Sequence, residues 1–142
     1  MIHRTGEQHL EFWAKHRPGE TLIYVLQCEP GTPIKVGIAR DVQSRIASLQ
    51  TGNPNRLYLM FVAPGDQQLE RALHHKLRDC RGLGEWFLGP EIADFLKWFE
   101  GVAWEAVDTY ERTGELPPPP IAPPKKQPTP PPKKEKPLGR GY

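Results

Sequence analysis

Tyr24, Lys35, Arg45 and Glu70 set a phenol, an ammonium, a guanidinium and a carboxylate in order along the first half of the chain. Between the first two, Glu29-Pro30-Gly31-Thr32 has proline and then glycine at the central turn positions, as a type II turn prefers. Paired across that turn, Cys28 faces Pro33, Leu26 opposes Lys35 and Tyr24 opposes Gly37. Strand alternation then places Tyr24, Leu26, Lys35 and Gly37 on one face. A phenol lies over a position with no side chain, with an ammonium nearby. Glycine weakens a strand unless a backbone, ring or ligand must come close there. Simple packing of the ring on Gly37 would satisfy the same pattern.

Two helical segments carry the other groups. With about 100° of turn per residue, Val42, Ile46 and Leu49 form one apolar stripe and Arg45 stands at its rim. An arginine so placed either snorkels to water or points along the sheet toward a partner. Leu69, Ala72, Leu73, Leu77 and Cys80 form the buried side of a later helix, with Glu70 at its border and His74 one turn on. A carboxylate at a helix–sheet seam can ligate a hard cation such as Mg²⁺, and the pair can equally be a surface i,i+4 contact. His75 points elsewhere, and His3, His9 and His16 show no ligand spacing. Trp86 and Phe87 could stack on bases, although packing under the last helix is the simpler role.

The elements that must position these groups are legible from period and punctuation. Gly6–His16 reads as a short amphipathic helix within a 1–20 extension, stopped by Pro18-Gly19. Thr21–Gln27 and Pro33–Ile38 read as a hairpin, the first strand almost wholly apolar as a buried central strand is. Asp41 can cap a helix to about Gln50, ended by Gly52 and Asn53-Pro54. Leu57–Ala63 is a third strand, and Pro64-Gly65-Asp66 opens a helix to about Cys80. After a glycine-rich connection, Pro90 begins a run with helical spacing from Ile92 to Tyr110. Three short strands need helices to cover them. The expected fold is therefore α/β (α+β), a small three-stranded mixed or antiparallel sheet flanked by helices, with a C-terminal tail that does not fold.

Eleven of the seventeen prolines fall in Glu115–Tyr142, and that segment has six Lys/Arg against two Glu. The preceding residues hold 13 Lys/Arg against 15 Asp/Glu, so the basic balance belongs to the tail and overall charge says little about nucleic acid. With almost no apolar bulk, residues 115–142 should be disordered and sample extended polyproline II. Cys28 and Cys80 fit a reducing compartment and a buried or inert role better than a disulfide framework. No apolar run resembles a signal peptide or a membrane span, so a soluble, cytoplasmic protein is expected.

Tyr24, Gly37, Arg45 and Glu70 occur in the order and approximate spacing of the GIY-YIG nuclease superfamily, which residues 21–97 resemble. Ile23-Tyr24-Val25 resembles its first motif and Lys35-Val36-Gly37 its second, with Arg45 and Glu70 where the family has its arginine and metal-binding glutamate. The phrases Ile34–Ala39, Leu49–Pro54, Glu70–His74 and Glu85–Phe87 look most like its phage-associated, T5-phage-like branch. Leu22 stands where the first motif has glycine and Lys35 where the second has tyrosine. The typical terminal asparagine has no clear counterpart, and His74, as an accessory group, falls in that part of the pattern with the Trp86 region. Residues 98–114 continue the last helix.

The resemblance implies endonucleolytic hydrolysis of DNA with one Mg²⁺ or Mn²⁺ held by Glu70. It further implies Arg45 on the phosphate and Tyr24 on the attacking water. Lys35, on the same face as Tyr24, would then favour the phenolate, since a nearby positive charge does so. Two other readings stay open: a related module that grips DNA without cutting, and an adaptor whose proline-rich tail docks to an aromatic groove on a protein partner.

Overall fold

The computed structural model describes residues 5–29, 33–82 and 86–121. Its sheet consists of β1 (Leu22–Cys28), β2 (Ile34–Ala39) and β3 (Leu57–Pro64) in the order β2-β1-β3, with both pairings antiparallel. The hairpin register is the expected one: Leu26 faces Lys35 and Tyr24 faces Gly37, and the Cys28 N–H donates to the Pro33 carbonyl at 3.0 Å. The turn tip, 30–32, lies outside the described residues, and so does the type II assignment. Central β1 is buried along almost its whole length because helices cover both of its faces. Opposite β1, Val25 pairs with Phe61 and Leu26 with Leu59, so Met60 is an extra residue and β3 bulges there.

Helix α1 (Thr5–His16) lies on one face of the sheet. A Cβ on Gly6 would sit 2.3 Å from the Leu59 carbonyl oxygen, so only glycine lets the first turn of α1 touch β3 so closely. On the same face, α2 (Val42–Thr51) is capped by Asp41, whose carboxylate accepts from the Ser44 N–H at 3.0 Å and the Ser44 hydroxyl at 2.9 Å. These two bonds hold the Asp41 carboxyl below its ordinary pKa. Leu22, Tyr24, Leu26, Trp13, Val42 and Val62 make up much of that layer.

The opposite layer joins Ile23, Val25, Val36 and Phe61 to α3 (Gln67–Lys76) and to the first half of α4 (Glu91–Thr113). Asp66 caps α3 through the Leu69 N–H at 3.0 Å. Expected to reach Cys80, the α-helix stops at Lys76. The Leu77 N–H is shared between the carbonyls of Leu73 and His74, and the chain tightens into a 3₁₀ turn, Arg78–Cys80. Helix α4, about 35 Å long at 1.5 Å per residue, ends at Gly114 with φ 75°, whose N–H donates to the Tyr110 carbonyl.

The tail departs from expectation at its start. Residues 115–121 are described: Leu116 packs on the α1/α2 layer and Ile121 on the α3/α4 layer, with Pro117–Pro120 between them. These two side chains are the apolar bulk that the composition of the whole tail obscures, and four stiff prolines lower the entropic cost of bridging them. Residues 122–142 lie outside the described residues. Among the described residues no helix is long and apolar enough to cross a membrane.

Candidate active site at the edge of the sheet

Tyr24 reaches the edge strand although it belongs to the central one. Its ring lies across Gly37, where a Cβ would be 2.5 Å from the phenolic oxygen and 2.6 Å from Cζ. The hydroxyl is thereby carried onto β2, with the ring 1 % exposed. Lys35, two residues along β2 on the same side, is buried as well. The phenol and the ammonium thus share a face, as the alternation predicts.

Arg45 is exposed on α2 in the same layer, whose anchors are Val42, Ile46 and Leu49. Its guanidinium heads for solvent rather than into the sheet. Glu70 is half-buried on α3, in the opposite layer, beside buried Leu69 and Leu73. One turn on, the His74 ring contacts Phe87 at 5.3 Å between centroids, and Nε2 lies 2.7 Å from the Val36 carbonyl oxygen. Since a carbonyl only accepts, Nε2 carries the hydrogen and donates. His74 therefore binds the sheet, and the simple Glu70–His74 surface pair is not what the structure shows.

The structure does not bring Tyr24, Arg45 and Glu70 onto one face of the sheet. Phenol and guanidinium belong to one layer and the carboxylate to the other. What joins the layers is β2 itself, because it is an edge strand. Its outward backbone groups alternate: the N–H and carbonyl of Ile34 both pair with Phe87 at 2.8 Å, and the Val36 carbonyl takes His74. Tyr24 touches Gly37 from one side and His74 of α3 meets the Val36 carbonyl, so these two side chains sit at adjacent residues of one strand. The cavities of about 580 Å³, beside Trp13 and Asp41, and about 500 Å³, beside Pro64 and Pro118, do not include any of these four residues.

Among the described residues no group of three or more His, Cys, Asp and Glu is placed to hold a metal ion. The donor set at the edge is one half-buried carboxylate. That fits Mg²⁺, which keeps most of its water and takes one or two carboxylates plus substrate phosphate, and it does not fit a dehydrated all-protein cage.

A family model described as the T5orf172 domain matches residues 21–108. The chain belongs to the T5orf172 domain family. The matched stretch runs from the residue before β1 into α4 and includes Tyr24, Lys35, Gly37, Arg45, Glu70 and His74. The T5orf172 domain is related to GIY-YIG nuclease-like folds. Comparison with curated proteins and with solved structures gives no match.

Within the T5orf172 domain, Phe87 is fully buried and Trp86 packs on the α1/α2 layer, which assigns both to packing. Glu85 lies outside the described residues. Cys28 and Cys80 are free and buried; burial pushes the Cys80 thiol up, helped by the nearby Glu91 carboxylate at 3.6 Å. Sequence reasoning missed the anchoring of His74 on Val36. Its only signal was the i,i+4 spacing from Glu70, which cannot say whether histidine turns toward the carboxylate or toward the strand.

Proposed function

We propose that this T5orf172 domain is a metal-dependent endonuclease that hydrolyses DNA phosphodiester bonds at the edge of β2. The observation that carries the reading is the phenol seated on Gly37, its hydroxyl brought to an edge strand that α3 grips from the other side. In this reading the Tyr24 hydroxyl orients the attacking water and accepts its proton when ionised. Lys35 stands on the same face of the sheet, two residues along β2 from Gly37. Arg45, exposed and always charged, donates its fork of N–H groups to the phosphate as negative charge builds. Glu70 is the residue that would hold one Mg²⁺ or Mn²⁺, whose Lewis acidity stabilises the phosphate and the leaving oxygen. His74 positions α3, and with it Glu70, against β2.

The test is nicking of supercoiled plasmid with and without Mg²⁺. The full chain should give metal-dependent product that Glu70→Gln and Tyr24→Phe each reduce on the order of 100-fold, the usual scale for a positioned acid–base or charge-stabilising group. Cutting by Glu70→Gln at the full rate would refute the assignment. One observation favours a second reading, a DNA-gripping module without hydrolysis: Lys35 stands where the second motif has a tyrosine hydroxyl. Retained DNA binding with no metal-dependent product would select it.

A further inference from the structure

The strap formed by Leu116–Ile121 turns back at Gly114 and lies beside Val102, Glu105 and Ala106 of α4. Glu105 also borders a second, shallow groove on α4, lined with it by Gly101, Trp104, Asp108, Glu111 and Arg112. These positions follow helical spacing, so the groove is a stripe running beside the strap. Trp104 is 40 % exposed there, one of two large apolar side chains so exposed among the described residues. The ring meets His9 in a T-shaped contact, with centroids 4.4 Å apart and planes at 74°. It is therefore held at the surface with part of it exposed. Glu105, Asp108 and Glu111 are exposed around it, with Arg112 the one cation on the stripe.

Gly101 is the odd residue of this helix. A Cβ there would meet nothing within 4 Å, so no packing within the described residues calls for glycine. Mid-helix glycine costs about 1 kcal/mol relative to alanine. What Gly101 does provide is a low saddle on α4 between the strap side, at Val102, and the Trp104 side.

The chain beyond Ile121 has the composition that fits this stripe. It reads Ala122-Pro123-Pro124-Lys125-Lys126 and continues through Pro130–Pro132 to Lys133-Lys134. Proline rings pack on an exposed aromatic face, as in polyproline recognition grooves. Lysines complement three carboxylates. Four residues of polyproline chain would span about 12 Å, enough to cross one helix. We propose that residues 122–136 of the chain cross α4 at Gly101 and dock on the stripe Trp104, Glu105, Asp108 and Glu111. The basic tail and the acidic body are then two halves of one intramolecular contact, independent of whether the β2 edge cuts DNA.

The test needs no nucleic acid, so its outcome is separate from that of the nuclease assay. A nitroxide is attached to Thr129→Cys in the full ¹⁵N-labelled chain; Cys28 and Cys80 are buried, and the unsubstituted protein carried through the same labelling gives the background. The Trp104 indole N–H and the amides of Gly101, Glu105 and Asp108 should lose most of their intensity. The loss should vanish in Glu105→Lys/Asp108→Lys, and also in Lys125→Glu/Lys126→Glu, which leaves the folded body untouched. Uniform broadening over the surface, or broadening centred on Arg45 and Glu70, would overturn the proposal. Broadening that appears only when spin-labelled unlabelled-nitrogen protein is mixed with ¹⁵N protein would assign the stripe to a second copy and overturn it too.

Discussion

His9 gives the folded state a pH dependence that can be worked out from its surroundings. It is 1 % exposed on α1, and neither ring nitrogen has a hydrogen-bond partner among the described residues. The indole N–H of Trp13, one turn along, is buried in the same condition. Burial lowers the His9 pKa from 6.5 to about 4. Above pH 6.5 both folded and unfolded chains hold it neutral, and it adds no pH dependence. Between 6.5 and 4 the unfolded chain takes up a proton that the folded one refuses, so stability falls as pH falls through this window. At 1.36 kcal/mol per pKa unit the full loss is roughly 3 kcal/mol, a large part of the 5–15 kcal/mol typical of a domain. The perturbation is His9→Phe, which keeps a ring against Trp104 and cannot be protonated. Urea unfolding of both proteins at intervals from pH 8 to pH 4 is the assay. Carboxylates titrating near the lower end are common to both, so the difference between the curves isolates His9. That difference should be flat above pH 7 and move by roughly 3 kcal/mol in favour of the variant by pH 4. Parallel curves would refute the reasoning and mean that water or a rearranged α1 satisfies the imidazole.

Two further substitutions probe the edge. Gly37→Ala places a methyl 2.5 Å from the Tyr24 oxygen; overpacking of this kind should cost about 1–3 kcal/mol in urea unfolding and displace the hydroxyl from β2, abolishing any cleavage. Stability equal to wild type would show that the ring can step aside. His74→Phe keeps the ring contact with Phe87 but removes the donor to Val36, which should destabilise the fold by about 1–2 kcal/mol and raise hydrogen-exchange rates in α3. An α3 that exchanges as slowly as before would remove His74 from its positioning role.

Most of the fold is readable because local rules agree. Alternation with a Pro-Gly turn sets the register of β1 and β2, so the contact of Tyr24 with Gly37 follows from counting. Asp41 and Asp66 announce two helix starts by the same mechanism that the structure shows, a carboxylate on a free N–H of the first turn. Where α3 ends is not readable to the residue, because the change to a 3₁₀ turn depends on how Leu77 divides one N–H between two carbonyls. The strap was hidden for a different reason. Its order rests on Leu116 and Ile121 finding two separate layers, a tertiary fact that a proline count averages away.

The candidate site shows the limit most sharply. Sequence names Tyr24, Arg45 and Glu70 and marks β1 as the central strand, but it cannot say which side of the sheet each helix covers, and that decides what those residues can do together. Had β2 been central, a helix carrying Glu70 on one face and a phenol on the other would be separated by a full, hydrogen-bonded sheet. Gly37 leaves room for the buried phenol to lie across β2, while His74 ties α3 to the neighbouring carbonyl. The glycine at 37 is thus required by the packing of the Tyr24 ring. Among the described residues β2 has no fourth strand beside it, yet Phe87 pairs with Ile34 and His74 holds the Val36 carbonyl along its outer side, so any ligand at this edge must fit beside those two contacts.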